Sequence, residues 1–343
     1  MAGIAMLVTA AASVGITILL IARPRGAVLE LESFPSCAWL YTQAIMSLML
    51  GKSKKARAGP RMLKVSLMKP TPINPERFAG FVRLTAAGGE GGGSTAGLLP
   101  LCYPMCEGFR LVMQCMFLPE FPFNVLGSVL TGNKTVCYRA IGCLERLLYS
   151  VSINLEDTSR TAKGDTEVPV VLTVYSGEDR EVVLLSTITV LVMNPNRNKG
   201  AKADAIAPLP APAWVPIDTW RLGSDVGRRF ASLNGDRNPI HMFAFASALF
   251  GFKRPIAHAL YLTACAEASL ISQGGVVPST PCLLDAAFKR PTLLPATLQL
   301  AWMPPALVTG EPVKLGSEGV KFAVLTAIGS KEVLVGSWRA GSE

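Results

Sequence analysis

The chain has 343 residues, room for about two domains of ordinary size. Half of them are hydrophobic and 17% are charged, so a sizeable buried core is within reach. The net charge of +9 is spread along the sequence instead of gathered into a basic block with interleaved aromatics. That pattern argues against nucleic-acid binding and suits an anionic lipid surface or a phosphate-bearing substrate.

The first element is GIAMLVTAAASVGITILLIA, residues 3–22, apolar and long enough to span a bilayer as a helix. It lacks the basic start of a secretory signal and the arginine-rich amphipathic pattern of an organellar presequence. Arg23 and Arg25 follow it at once. An N-terminal membrane anchor with the body of the protein in the cytosol is therefore expected over residues 1–25, at an endoplasmic-reticulum-type membrane. A mitochondrial segment is the alternative. A second apolar stretch, CAWLYTQAIMSLML at 37–50, is short for a span and reads as a packed or membrane-surface helix. The eight cysteines include one tight pair, Cys102 and Cys106, without the partners of a zinc spacing, so they read as reduced, buried thiols.

Two breaks divide the remainder. AAGGEGGGSTAG at 86–97 has the composition of a flexible linker, and residues 194–215 are rich in Pro, Ala and charge. The implied units are a membrane-proximal region with linker at 26–96, one domain at 97–200 and another at 215–343. In the first, VCYRAIGCLERLLYSVSINLE (136–156) is the candidate helix, and TEVPVVLTVY and REVVLLSTITVLVM form a hairpin around a Ser-Gly-Glu-Asp turn. In the second, PIAHALYLTACAEASLISQG (255–274) is a continuous helix former with a Gly-Gly stop. Four strand candidates follow it: PCLLDAAF, ATLQLAW, KFAVLTAIG and KEVLVGSWRA. A long apolar helix followed by antiparallel strands is an α+β unit, a sheet wrapped around a central helix. Both segments fit it, which suggests two copies in tandem.

Both histidines of the chain, His241 and His258, fall in NGDRNPIHMFAFASALFGFKRPIAHAL, residues 234–260. Asn234-Gly235-Asp236 and Asn238-Pro239 are strong turn formers, and HMFAFASALFGF reads as a short helix. An aspartate and a histidine five residues apart on such a turn can face one small volume, hold a water and move its proton. On spacing alone, Asp236 can equally cap the following turn and His241 can be a helix-start residue. No metal is expected: two histidines without a Cys partner or a Glu-x-x-His pattern make a poor ligand set.

The stretch resembles the signature of the MaoC-like (R)-specific enoyl-thioester hydratases and 3-hydroxyacyl-thioester dehydratases, which adopt the hot-dog fold. The residues that carry the resemblance are Phe230, Asn234-Gly235-Asp236-Arg237-Asn238-Pro239-Ile240-His241, Gly251-Phe252 and Ile256-Ala257-His258-Ala259. Gly227-Arg228-Arg229-Phe230-Ala231, Phe288-Lys289-Arg290-Pro291 and Leu294-Pro295-Ala296-Thr297 extend it, as does the run from Leu98 to Leu130. The resemblance covers residues 97–343 and implies a tandem (double) hot-dog fold, with the apolar helix in front. It also implies that Asp236 and His241 are the catalytic acid/base pair and that Asn238 and Gly235 shape the loop. The Ala259 amide would be the oxyanion donor at a helix N-terminus, and His258 would orient that turn. The family usually has Gly where this chain has Ala259; alanine keeps the N–H but would be strained at positive φ.

Lys253, Arg254, Lys289 and Arg290 are candidate contacts for the phosphates of coenzyme A or the acidic face of an acyl carrier protein. The first domain has no histidine, so it is expected to be a degenerate partner that lines an acyl tunnel. The expected activity is reversible dehydration of a (3R)-hydroxyacyl thioester in fatty-acid metabolism, without a metal or redox cofactor. A homodimer of double hot dogs is a further expectation. A non-catalytic acyl-thioester-binding scaffold is the alternative, and a thioesterase on the same fold is disfavoured by the complete Asp-x-Asn-Pro-x-His run.

Overall fold

A computed structural model describes residues 27–40, 42–43, 61–86, 97–194, 214–303, 313–316 and 319–341. Residues 3–22 and most of 37–50 lie outside them, and Cys37–Leu40 begin helically. Among the described residues no helix is long and apolar enough to cross a membrane.

The strands of the main path, in chain order, are β1 (Ala27–Leu31), β2 (Met62–Leu67), β3 (Val129–Cys137), β4 (Arg146–Asn154), β5 (Thr166–Ser176) and β6 (Val182–Val192), then β7 (Val215–Leu222), β8 (Cys282–Phe288), β9 (Ala296–Met303), β10 (Val320–Thr326) and β11 (Glu332–Ala340). They form one sheet in the order β1-β2-β4-β5-β6-β3-β8-β11-β10-β9-β7. Helices α1 (Pro75–Thr85) and α2 (Tyr103–Met116) belong to the first half. The second half carries α3 (Val226–Asn234), two short helices α4 (Pro239–Met242) and α5 (Ala244–Ala248), and α6 (Ala259–Ser272).

The order is a duplication. From the central seam, where β3 pairs antiparallel with β8, the first half runs β3-β6-β5-β4-β2 and the second β8-β11-β10-β9-β7. Each half contributes a lone leading strand, a helix, a long buried helix and then four strands, paired in the same sequence. The tandem arrangement expected from the sequence is present, and the strands expected in the two domains form within three residues of their expected bounds.

Three expectations need correction. Residues 136–156 are not a helix: they hold the end of β3, a turn and β4. The turn is closed by a two-pronged Arg139–Glu145 pair at 3.0 and 2.8 Å, and Glu145 also accepts from the Gly142 N–H at 2.6 Å. The β-branched stretch YSVSI then pairs with both β2 and β5. The helix of this half lies upstream, in α2, buried throughout except at Arg110. Its polar residues Glu107, Arg110 and Gln114 recur at helical spacing, yet Glu107 and Gln114 are buried with the rest. At Gly108 an added Cβ would meet a Leu172 methyl at 2.9 Å, so the helix sits close on the sheet. Secondly, the first half does not open at residue 97, because β2 pairs with β4, and α1 packs against the second half. Finally, α6 starts at Ala259 instead of 255, since Ile256 bridges to Leu293 and the Ala257 N–H donates to the Thr292 carbonyl at 2.9 Å.

Candidate active site

The loop between α3 and α4 is built from short side chains that satisfy its own backbone. Gly235 ends α3 with φ at 83°, a left-handed conformation that favours glycine. The Asp236 N–H donates to Asn234 Oδ1 at 2.9 Å, and the Asn238 N–H donates to Asp236 Oδ1 at 3.1 Å. The Asn238 side chain reaches into the other half: Nδ2 donates to the Ser128 carbonyl at 3.3 Å, while Oδ1 accepts from the Gly127 N–H at 3.3 Å. Pro239 opens α4, which places His241 one turn on.

Both histidines are buried and their rings stack, with centroids 3.7 Å apart and planes 23° from parallel. His241 Nδ1 lies 2.8 Å from the Ile256 carbonyl, and His258 Nε2 lies 3.0 Å from the Asp236 carbonyl. A carbonyl only accepts, so each of those nitrogens carries the proton. The lone pair of His241 is therefore on Nε2, 3.8 Å from Asp236 Oδ2. That separation is too long for a direct hydrogen bond and suits one oxygen held between the two. Burial lowers the pKa of His241 despite the nearby Asp236 carboxylate, and lowers that of His258 further. Burial also raises Asp236, opposed by His241 and by the Asn238 N–H. The Asp236 side chain keeps 15% exposure, toward the cavity described next.

The pair opens onto a cavity of about 630 Å³ lined by Asp236, His241, His258 and Ala259. The rest of its wall is mostly apolar and is shared by the two halves, the first supplying Phe109, Met113 and Met116 of α2, Phe117 at its end and Val190 of β6. Ala259 lines the cavity as the first residue of α6, where its N–H has no acceptor within the helix. Its φ is not positive, so the methyl group carries no backbone strain. Of the expected phosphate contacts, Lys289 and Arg290 line the cavity, and Arg290 also donates to the Glu332 carbonyl at 2.7 Å. Lys253 and Arg254 are exposed and stand outside the lining. Asp236, His241 and His258 each place a ligand atom within 4.8 Å of the others. A divalent ion there would require His258 to give up its bond to the Asp236 carbonyl.

Sequence reading missed two contributors. Gly227 of α3 lets the helix pass against His241: an added Cβ would lie 2.3 Å from the His241 carbonyl oxygen. Glu267 explains why the first half has no comparable site. The extended residues before the two long helices correspond, since Leu98 bridges Gly142 as Ile256 bridges Leu293, and Leu99 N–H bonds Ile141 O as Ala257 N–H bonds Thr292 O. By the same offset Leu101 corresponds to Ala259. The Leu101 and Cys102 N–H groups donate to the buried Glu267 carboxylate, at 2.6 and 3.0 Å. The amide that is open in the second half is thus already occupied in the first. The only advance signal was a lone glutamate in an otherwise uncharged helix.

Comparisons with known proteins agree with this architecture. Solved structures define the class. The crystal structure of HtdX of Mycobacterium tuberculosis aligns with a TM-score of 0.62 at 24% identity, covering 81% of this chain and 99% of that one. A conserved hypothetical protein of Mycobacterium tuberculosis with a double hotdog fold aligns at a TM-score of 0.54 and 11% identity, covering 82% and 96%. The fold is a double hot dog. In sequence, the MaoC like domain matches residues 207–303. 3-Hydroxyacyl-thioester dehydratase X of Mycobacterium tuberculosis (strain ATCC 25618 / H37Rv) is 30% identical over 229 residues, 67% of this chain and 76% of that protein. The chain belongs to the MaoC-like dehydratase family and is a hydro-lyase.

Proposed function

We propose that the protein interconverts a (3R)-hydroxyacyl thioester and a trans-2-enoyl thioester, with Asp236 and His241 as the acid/base pair. The observation that carries this reading is the fixed tautomer of His241. Its Nδ1 proton is held by the Ile256 carbonyl, which leaves the Nε2 lone pair facing Asp236 Oδ2 beside the apolar cavity. In the hydration direction, a water held between those atoms adds its oxygen to C3 of the enoyl group. The pair takes up a proton from that water and returns one to C2, which restores the pair to its starting state. The Ala259 N–H donates a hydrogen bond to the thioester oxygen as negative charge develops there, with the N-terminal end of α6 adding a favourable dipole. No electron is transferred, so the chemistry requires no redox cofactor. In this reading the acyl chain occupies the wall of α2, and Lys289 and Arg290 meet the phosphates of coenzyme A or an acidic carrier protein at the cavity edge. Localisation at a membrane by residues 1–25 belongs to the same proposal.

The test is hydration of crotonyl-coenzyme A by the full chain, followed at the enoyl-thioester absorbance. Asp236→Asn and His241→Ala should each cost about a hundredfold or more. Turnover that survives either substitution would remove the pair from the mechanism. Binding of the thioester without turnover would favour the acyl-thioester scaffold.

A further inference from the structure

The segment that overhangs the cavity has an outer face the chemistry does not use. Phe243, Phe245 and Leu249 are 46%, 75% and 81% exposed, against a core in which comparable side chains are almost fully covered. Phe243 and Phe245 stack with centroids 5.9 Å apart. Phe245 and Leu249 stand four residues apart on α5 and its cap, hence on one side of that turn. The three form one apolar tip. The residues that follow it, Phe250, Gly251 and Phe252, turn inward and line the cavity.

Basic residues flank the tip. The Arg228 guanidinium lies over the Phe243 ring, 5.5 Å from its centroid. The Phe252 N–H returns to the Ser247 carbonyl at 3.1 Å, which brings exposed Lys253 and Arg254 back beside α5. From Val226 to Ala266 the sole acidic residue is Asp236, and it faces the cavity. Apolar side chains that protrude, flanked by basic ones, match the interfacial region of an anionic bilayer, where rings and alkyl groups enter the acyl boundary and cations meet headgroups.

We propose that Phe243, Phe245 and Leu249, with Arg228, Lys253 and Arg254, form a docking surface for an anionic lipid bilayer. Docked in this way, the edge of the apolar cavity lies at the bilayer surface. An acidic protein helix would satisfy the charges but offers no reason for two apolar side chains to project so far. The surface is made of residues other than 3–22 and adds an orientation to whatever attachment they provide.

Amide hydrogen exchange of the full chain resolves this contact from any made by the N-terminus. The chain is incubated with vesicles of phosphatidylcholine alone, or of phosphatidylcholine and phosphatidylglycerol in equal parts. Exchange over residues 243–254 should slow with the anionic vesicles and recover as salt is raised. A Phe245→Ser/Leu249→Ser variant should lose that protection while hydrating crotonyl-coenzyme A like the parent chain. No slowing in this segment, or slowing that persists in the variant, would overturn the proposal. So would protection that grows with protein concentration in the absence of lipid, which would assign the tip to a second copy of the chain. Protection conferred by an acidic carrier protein but not by vesicles would overturn it in favour of that partner.

Discussion

The two histidines share a burial and a stack but hold their protons on different nitrogens. His241 has its lone pair directed at the cavity, whereas His258 spends its Nε2 proton on the loop that carries Asp236. The productive form pairs a neutral imidazole with an ionised carboxylate. Burial lowers the imidazole pKa and raises that of the carboxylate. Acid removes both members, so kcat/KM should fall as pH drops through the interval between the ordinary Asp and His values, about 4 to 6.5, and stay level above neutrality. A pH–rate profile with its acid limb above that interval would contradict the assignment. Stability has the same sign. Unfolded imidazoles bind protons that the buried ones resist, so Tm should begin to decline as pH falls below about 6.5, while Asp236, raised by burial, binds its proton more readily when folded and opposes the decline at lower pH. Ala259→Gly should leave turnover within a few fold and lower stability by less than about 1 kcal/mol, because alanine already suits a helical first residue there. A large gain in rate from the glycine would mean that the methyl group obstructs the thioester.

Among the elements, α3, α4 and the Val125–Ser128 loop act as a mount for the pair. Gly227→Ala would press a methyl group on the His241 carbonyl, 2.3 Å away. Displacing His241 by a fraction of an ångström to an ångström should cost roughly 10- to 100-fold in kcat while the circular dichroism of the fold is retained. An unchanged kcat would show that the backbone gives way without moving the ring. Asn238→Ala would unhook the loop from Gly127 and Ser128, and its cost should fall on kcat more than on KM. The loop chemistry was legible in the sequence because turns advertise themselves: Asn-Gly-Asp and Asn-Pro have few other uses. Six strands, β5, β6 and β8 to β11, were legible as apolar runs between turn residues, whereas β1 to β4 and β7 were not. The long helix α2 was not, since its opening Pro104 and its Gly108 interrupt the helix-forming run, and 136–156, with its scattered polar residues, imitated one better. Glu267 was equally hidden, because its partners are backbone amides in a distant segment.

For the whole molecule, the duplication yields one reaction centre. Leu101 occupies the position of Ala259, but its N–H is committed to Glu267. Titration with a non-reactive thioether analogue of the substrate should therefore saturate at one per chain, and a stoichiometry of two would mean that the first half also binds. Glu267→Ala would leave two buried N–H groups without acceptors, at about 1–3 kcal/mol each, and should lower Tm by several degrees.

The seam between β3 and β8 joins the halves into a single sheet, and with it comes a freedom that an assembly of identical subunits lacks. In such an assembly every substitution appears twice, so a residue that improves the wall of one chamber also alters the catalytic face of its mate. Here the α2 side of the wall and the catalytic loop are written at different addresses in one chain. Met113, Met116 and Phe117 can vary without changing a residue near Asp236 or His241, so the choice of acyl group can drift while the chemistry is inherited intact.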